Sequence, residues 1–225
     1  AANPVEAVRA ALPRKKVKVK NFAAIAWDET PDLMHKLEKV TGVGAMALRF
    51  TILTVLRSGA VRKATWSQFS EGFERWIIPA ENMKADEEHE VPLPLAARQI
   101  LKSLHAKKPK DTDFVFFSPQ TRSKMISENT MSKALKRFYP DATVHGMRSA
   151  YRDWAEIFSD ASHEVKEAVL AHGNPNKVES AYLRTKYLDE REDLMEVWGM
   201  WATGEGGTYQ SLLNKYRVER TMPLD

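Results

Sequence analysis

The stretch HGMRSAYRDWAEIF, His145–Phe158, decides how the rest of the chain is read. Met147, Tyr151, Trp154 and Phe158 fall at i, i+4, i+7 and i+11, which is one face of an α-helix. That stripe alone supplies the helix's contact with a core. His145 and Arg148, three apart at the start of the same helix, are not needed for it, and their spacing puts them on neighbouring surface positions. An arginine at a helix N-terminus opposes the helix dipole. A phosphate bound there would welcome both the guanidinium and the free N–H groups. The plain alternative is a surface arginine beside a capping histidine.

Upstream, DETPDLMHKLEKV predicts a helix capped by Thr30, with Pro31 at its first position and Asp32 at the positive end of the dipole. GAMALRFTILTVLRSG is apolar nearly all round from Ala45 to Leu56, the pattern of a central buried helix, with Gly59 as its stop. FERWIIPA and HEVPLP read as two strands of a small antiparallel sheet joined by the polar turn ENMKADEEHE. LAARQILKSLH returns to helical period, DFVFFS reads as extended and buried, and SENTMSKALKRFY as a helix capped by Ser127 and stopped at Pro140. NKVESAYLRT and DEREDLMEVWGMWA are helical. There is no internal repeat. The pattern is α+β and mostly α-helical.

At 225 residues the chain is long enough for one large domain or two small ones. It has no cysteine, which excludes disulfides and cysteine chemistry, and a reducing cytoplasm is compatible with that. No apolar run approaches the roughly 18–20 residues that span a bilayer, and no secretory signal pattern opens the chain. The net charge is +4 and the pI about 9.1. Three basic segments stand out, RKKVKVK (Arg14–Lys20), HAKKPK (His105–Lys110) and KALKRF (Lys133–Phe138), a distribution that suits a phosphate backbone or simply solvated lysine. Residues 1–21 read as an interdomain linker or basic arm, as of a fragment entered at a connector. A tail, 204–225, follows a Gly-rich break and reads as mobile.

Four further features bear on chemistry. Arg57 ends the apolar helix, where the dipole favours its charge. It could also act as a second guanidinium clamping the same phosphoryl group as Arg148. Lys84 lies in the hairpin turn, solvated or poised to donate a proton. Glu87, Glu88, His89 and Glu90 do not make a metal site, because adjacent strand residues point to opposite faces. In HGNPNKVESAYLRTKY, His172–Tyr187, Asn174 can cap a helix that carries Tyr182. Tyr187 then lies about 140° further round, so the two tyrosines cannot serve one site on a regular helix.

The order of these features resembles the tyrosine recombinase family, the phage-type integrases. LRSGAVRKATWSQF, PAENMKADEEHEVPL, HGMRSAYRDWA and AHGNPNKVESAYLRTKYLDEREDLMEVW are similar to the catalytic domains of prophage and genomic-island integrases, and the resemblance runs from Phe22 to Trp201. It implies a catalytic domain over 22–203, with helices packed around a small three-stranded antiparallel sheet. It implies site residues Arg57, Lys84, His145, Arg148, His172 and Tyr182, with Tyr182 as nucleophile. It also implies double-stranded DNA as partner, a homotetramer on DNA from a free monomer with the tail 204–225 exchanged between subunits, and an accessory DNA-bending protein or directionality factor. No cofactor, metal or membrane is implied, and the expected location is the bacterial cytoplasm, at the nucleoid. One departure stands out: the family's acidic residue after the first arginine is replaced by Ala60, which bears on how Arg57 is held. The competing readings are a non-catalytic DNA-binding module that kept the fold, a type IB-like topoisomerase and, more remotely, a metal-dependent nuclease.

Overall fold

The computed structural model describes residues 23–84, 86–171 and 187–221. The expected linker and the segment carrying His172 and Tyr182 lie outside them. In chain order come α1 (Thr30–Glu38), α2 (Val43–Thr54), α3 (Ser58–Arg62), β1 (Arg75–Ile78), β2 (His89–Pro92), α4 (Leu95–His105), α5 (Asn129–Lys136), α6 (Met147–Phe158), α7 (His163–Val169), α8 (Leu188–Ala202) and α9 (Tyr209–Thr221). Among the described residues no helix is long and apolar enough to cross a membrane.

Two helices organise the core. α2 is apolar all round, so it is surrounded: Ala47, Leu48, Phe50 and Leu53 are fully buried, and α1, α4, α5 and α8 pack on it. α8 does the same on the other side, burying Leu194, Val197 and Trp198 against α7, α2, α4 and β2. Trp198 Nε1 donates to the Ile52 carbonyl at 2.9 Å, tying the two central helices together. The predicted stripe of α6 meets α8 in an aromatic stack, with Trp154 centred 4.9 Å from Trp198 and Phe158 6.2 Å from Trp201. Such pairs contribute about 0.5–1.5 kcal/mol each beyond their buried area.

The mostly helical α+β expectation holds, with corrections in detail. The sheet has two strands among the described residues, paired antiparallel with Trp76 opposite Val91 and Ile78 opposite His89. The implied third strand is absent there. Phe114 and Phe117 make only single bridges, to Thr65 and Met125, because DFVFFS is shared between two segments and never runs beside one. α1 starts at Thr30 itself, so Thr30 is its first residue and not its cap. α2 does not run on to Gly59. It stops at Val55, whose φ of 58° is left-handed, and Gly59 lies inside α3.

Buried acid also shapes the fold. α4 begins after Pro94, which has no side-chain acceptor to cap it. Glu196 of α8 takes that role, accepting from Leu95 N with both oxygens at 3.1 and 3.0 Å. Burial raises its pKa, opposed by that hydrogen bond and by Arg98. After Gly204 and Gly207, both at positive φ, α9 docks on α8 of the same chain through Tyr209, Leu212, Leu213 and Tyr216.

Candidate active site

Arg148 is not on the surface, where its spacing from His145 had placed it. It is buried at 6% exposure and its guanidinium joins two helix ends. Nη1 donates to the Val55 carbonyl, at the C-terminus of α2. Nη2 donates to the Leu170 carbonyl at 2.6 Å, at the C-terminus of α7. Helix C-termini leave carbonyls without partners and carry partial negative charge, so a planar cation with divergent donors satisfies both at once.

Both helix ends are held in left-handed backbone. Val55 has φ 58° and Ala171 φ 49°. For a β-branched residue this conformation is a genuine outlier and costs about 1–3 kcal/mol. The hydrogen bond from Arg148 to the strained peptide's carbonyl offsets part of that. The two turns have a shared consequence: Arg57 follows Val55 by two residues, and His172 follows Leu170 by two. The arginine of HGMR thus sets the exits of two segments that carry expected site residues.

Arg57 leaves α2 in extended backbone and forms the N-cap position of α3. It is half-buried. Burial lowers the pKa of Arg148 to about 10, and the neighbouring positive charge of Arg57 lowers it further within that shift. Arg148 remains charged at neutral pH. Like charges are costly together unless an anion lies between them. Ala60, where the family carries an acid, is buried and apolar in α3. Arg57 pairs with no carboxylate among the described residues, whereas its neighbours in sequence Arg49 and Arg62 pair with Glu38 and Glu128. Glu167 of α7 opposes the lowering of the Arg148 pKa and also pairs with Arg152 at 3.0 Å.

His145 is exposed in the turn before α6, and its carbonyl accepts from Arg148 N at 3.1 Å. Gly146 lets this turn close on the chain's first described segment. A Cβ there would stand 2.2 Å from the Ala23 carbonyl oxygen, which accepts from Thr143 N at 2.9 Å. Gly146→Ala is therefore expected to destabilise by about 1–3 kcal/mol and to displace His145, as read from urea midpoints beside cleavage rates.

Lys84 is exposed on the connection between β1 and β2. No described contact brings it to the arginine pair. His172 and Tyr182 lie outside the described residues. The structure therefore unites Arg57, Arg148 and, one turn away, His145. Of the basic clusters, HAKKPK is partly spent on structure. His105 packs edge-on to Trp66 at 4.9 Å and Lys108 pairs with Asp113 at 3.1 Å. Lys133, Lys136 and Arg137 are exposed along α5 and its C-terminus.

The model of the "Phage integrase family" matches residues 24–188. The chain is 31% identical over 220 residues to prophage integrase IntA of Escherichia coli K12, covering 91% of this chain and 50% of that protein. It is 28% identical over 230 residues to the integrase of Enterobacteria phage P4, covering 94% and 52%. The chain thus spans about half the length of these curated relatives. Among solved structures, a lambda integrase(75-356) dimer bound to a COC' core site aligns with a TM-score of 0.54 at 20% identity, covering 73% of this chain and 62% of that one. XerA recombinase aligns with a TM-score of 0.52 at 12% identity, covering 91% and 68%. These two likenesses establish a shared fold, and with the sequence matches they lead to one conclusion: the chain belongs to the phage integrase family.

Proposed function

We propose that this chain is the catalytic domain of a site-specific DNA recombinase, which cuts and rejoins double-stranded DNA through a 3′-phosphotyrosyl intermediate to integrate or excise a mobile element. The observation that carries the reading is the arginine pair: Arg148 buried and fixed by two carbonyls, Arg57 beside it, and no carboxylate paired to Arg57 among the described residues. A scissile phosphate is the anion that such a pair fits.

In the proposed reaction the Tyr182 oxygen attacks phosphorus and the bond to the 5′ oxygen breaks. Lys84 gives that oxygen its proton. Arg57 and Arg148 stabilise the charge of the pentacoordinate phosphorane. His145 assists proton transfer or orients the phosphate, and His172 hydrogen-bonds a nonbridging oxygen. A second 5′-hydroxyl then reverses the step, and the covalent bond conserves the energy of the phosphodiester, so no nucleotide cofactor is required. The proposed assembly is a homotetramer on paired attachment sites in the bacterial cytoplasm, with exchange of 204–225 between subunits and an accessory bending or directionality protein.

The test is cleavage of a nicked attachment-site duplex in the presence of EDTA, with two-site strand exchange scored alongside. A protease-sensitive DNA adduct and exchanged products support the reading. Relaxation of supercoils without exchange would favour a type IB-like topoisomerase, and binding without any adduct a non-catalytic module. The exposed side chains of Lys133, Lys136 and Arg137 are expected to contact phosphates. Replacing all three with alanine should lower the salt slope of log K by about 1 per lost contact, measured by fluorescence anisotropy.

A further inference from the structure

Two consecutive residues in the first turn of α8 are spent on the β1–β2 hairpin. Arg191 is 2% exposed. Its Nη2 donates to the Glu90 carbonyl at 2.5 Å and lies 3.4 Å from His89 Nε2. Burial lowers its pKa to about 10, opposed by Glu90, and its Nε finds no partner among the described residues. Glu192 works from the outer side. Its Oε2 accepts from Arg75 Nη2 of β1 at 2.5 Å, and its Oε1 accepts from Tyr216 OH of α9 at 2.7 Å.

A buried guanidinium held by a carbonyl and an imidazole is an expensive way to join a helix to a strand, since an apolar contact of the same volume is often as stable. What the guanidinium adds is direction. It fixes one carbonyl of β2 relative to one turn of α8, while Glu192 fixes β1. The hairpin these strands form carries Lys84, five residues before His89, and α8 follows Tyr182, which precedes Arg191 by nine residues.

We infer that Arg191 is a positioning residue for proton delivery, locking the base of the Lys84 hairpin to the helix that follows Tyr182, with Glu192 as its outer reinforcement. The inference rests on the roles proposed above for Lys84 and Tyr182. In the step it serves, the Tyr182 O–P bond forms as the phenol gives up its proton to water, the P–O5′ bond breaks, and the leaving oxygen takes a proton from Lys84. If sulfur replaces that bridging oxygen, the leaving thiolate departs without a proton. A defect in proton delivery then disappears, whereas a defect in folding or DNA binding stays.

The experiment is single-turnover cleavage by the full-length protein of duplexes bearing oxygen or sulfur at the 5′-bridging position. General acid catalysis contributes about 10²–10⁴-fold, so a misplaced acid should lose a sizeable part of that. Arg191→Lys is expected to slow the oxygen substrate by about 10-fold or more and Glu192→Gln by a smaller factor. Both should match the parent protein on the sulfur substrate. Equal slowing on both substrates, or no slowing on either, overturns the inference. Lys84→Ala run in parallel separates the two levels. If sulfur fails to rescue it, the assignment of Lys84 falls and the inference falls with it. If sulfur rescues Lys84→Ala but not the Arg191 and Glu192 variants, the positioning role alone is wrong. Should Arg191→Lys fail to fold, Glu192→Gln decides, since its carboxylate is only partly buried and its loss leaves the core intact.

Discussion

Replacing Arg148 with alanine should cost stability and activity together. The substitution leaves the Val55 and Leu170 carbonyls without their donors, and a buried unsatisfied polar group costs about 1–3 kcal/mol. Together the two carbonyls should lower unfolding free energy by about 2–5 kcal/mol. Cleavage should fall by about 10³-fold or more, since removing even one well-placed donor from a developing charge costs about 10²–10³. Arg148→Lys keeps the charge but has no planar fork to span two helix ends, so most of the rate loss should remain while part of the stability returns. Arg57→Ala is the contrast. The Arg57 side chain makes no hydrogen bond to a described residue, and its carbonyl, which opens α3 by accepting from Ala60 N and Val61 N, survives the substitution, so its loss should reduce cleavage with little change in stability. Urea unfolding beside single-turnover cleavage reads all three. A fully active, stable Arg148→Ala would remove the basis for placing the site here.

The second large effect concerns the tyrosines. Tyr182→Phe should abolish the covalent DNA adduct, because the substitution deletes the attacking oxygen and no neighbouring group replaces a nucleophile in kind. Tyr187→Phe should keep the adduct. Tyr187 is the N-cap residue of α8 and packs, half-buried, against the core. A small loss of stability is all its hydroxyl should cost. Denaturing gels with a nicked duplex labelled at the 5′ end of the scissile strand report both outcomes. Both variants should still bind DNA, since the arginine pair and α5 are untouched.

Much of this was legible in the chain. The stripe Met147, Tyr151, Trp154 and Phe158 predicted α6 and its buried face, and the all-round apolar run Ala45–Leu56 predicted the central α2. The aromatic and β-branched residues of FERWIIPA, with HEVPLP returning after a polar turn, predicted the hairpin. The resemblance then grouped the site residues, of which Arg57 and Arg148 are near enough in the structure for one charge to act on the other.

What was not legible follows from tertiary demands that override local pattern. Arg148 reads as a surface residue because charge beside an apolar stripe usually faces water. Here two helix ends converge on it instead. Nothing in TVLRSG suggests that valine takes left-handed backbone. That choice is imposed by the α2–α3 corner and supported by a side chain 93 residues away. Arg191 and Glu196 were hidden for the opposite reason. In DEREDLMEVWGMWA the charges look like a solvent face, yet beyond its first turns α8 has no polar side, since every residue from Leu194 to Met200 is buried. A helix buried all round carries its charges inward, and that was the available signal. The missing third strand has a similar cause: DFVFFS has strand composition, but its hydrogen bonds are divided between two partners.

The central claim is that Tyr182 attacks DNA within a site organised by Arg148 and Arg57. The most direct measurement is the identity of the residue in the trapped adduct. Trypsin cuts after Lys177 and Arg184, so Tyr182 lies alone among tyrosines in the peptide Val178–Arg184, and Tyr187 falls in a separate one. After nuclease trimming, mass spectrometry should find the nucleotide remnant on Val178–Arg184, at Tyr182. A remnant on the Tyr187 peptide or on any other residue would contradict the account, as would cleavage that leaves no adduct.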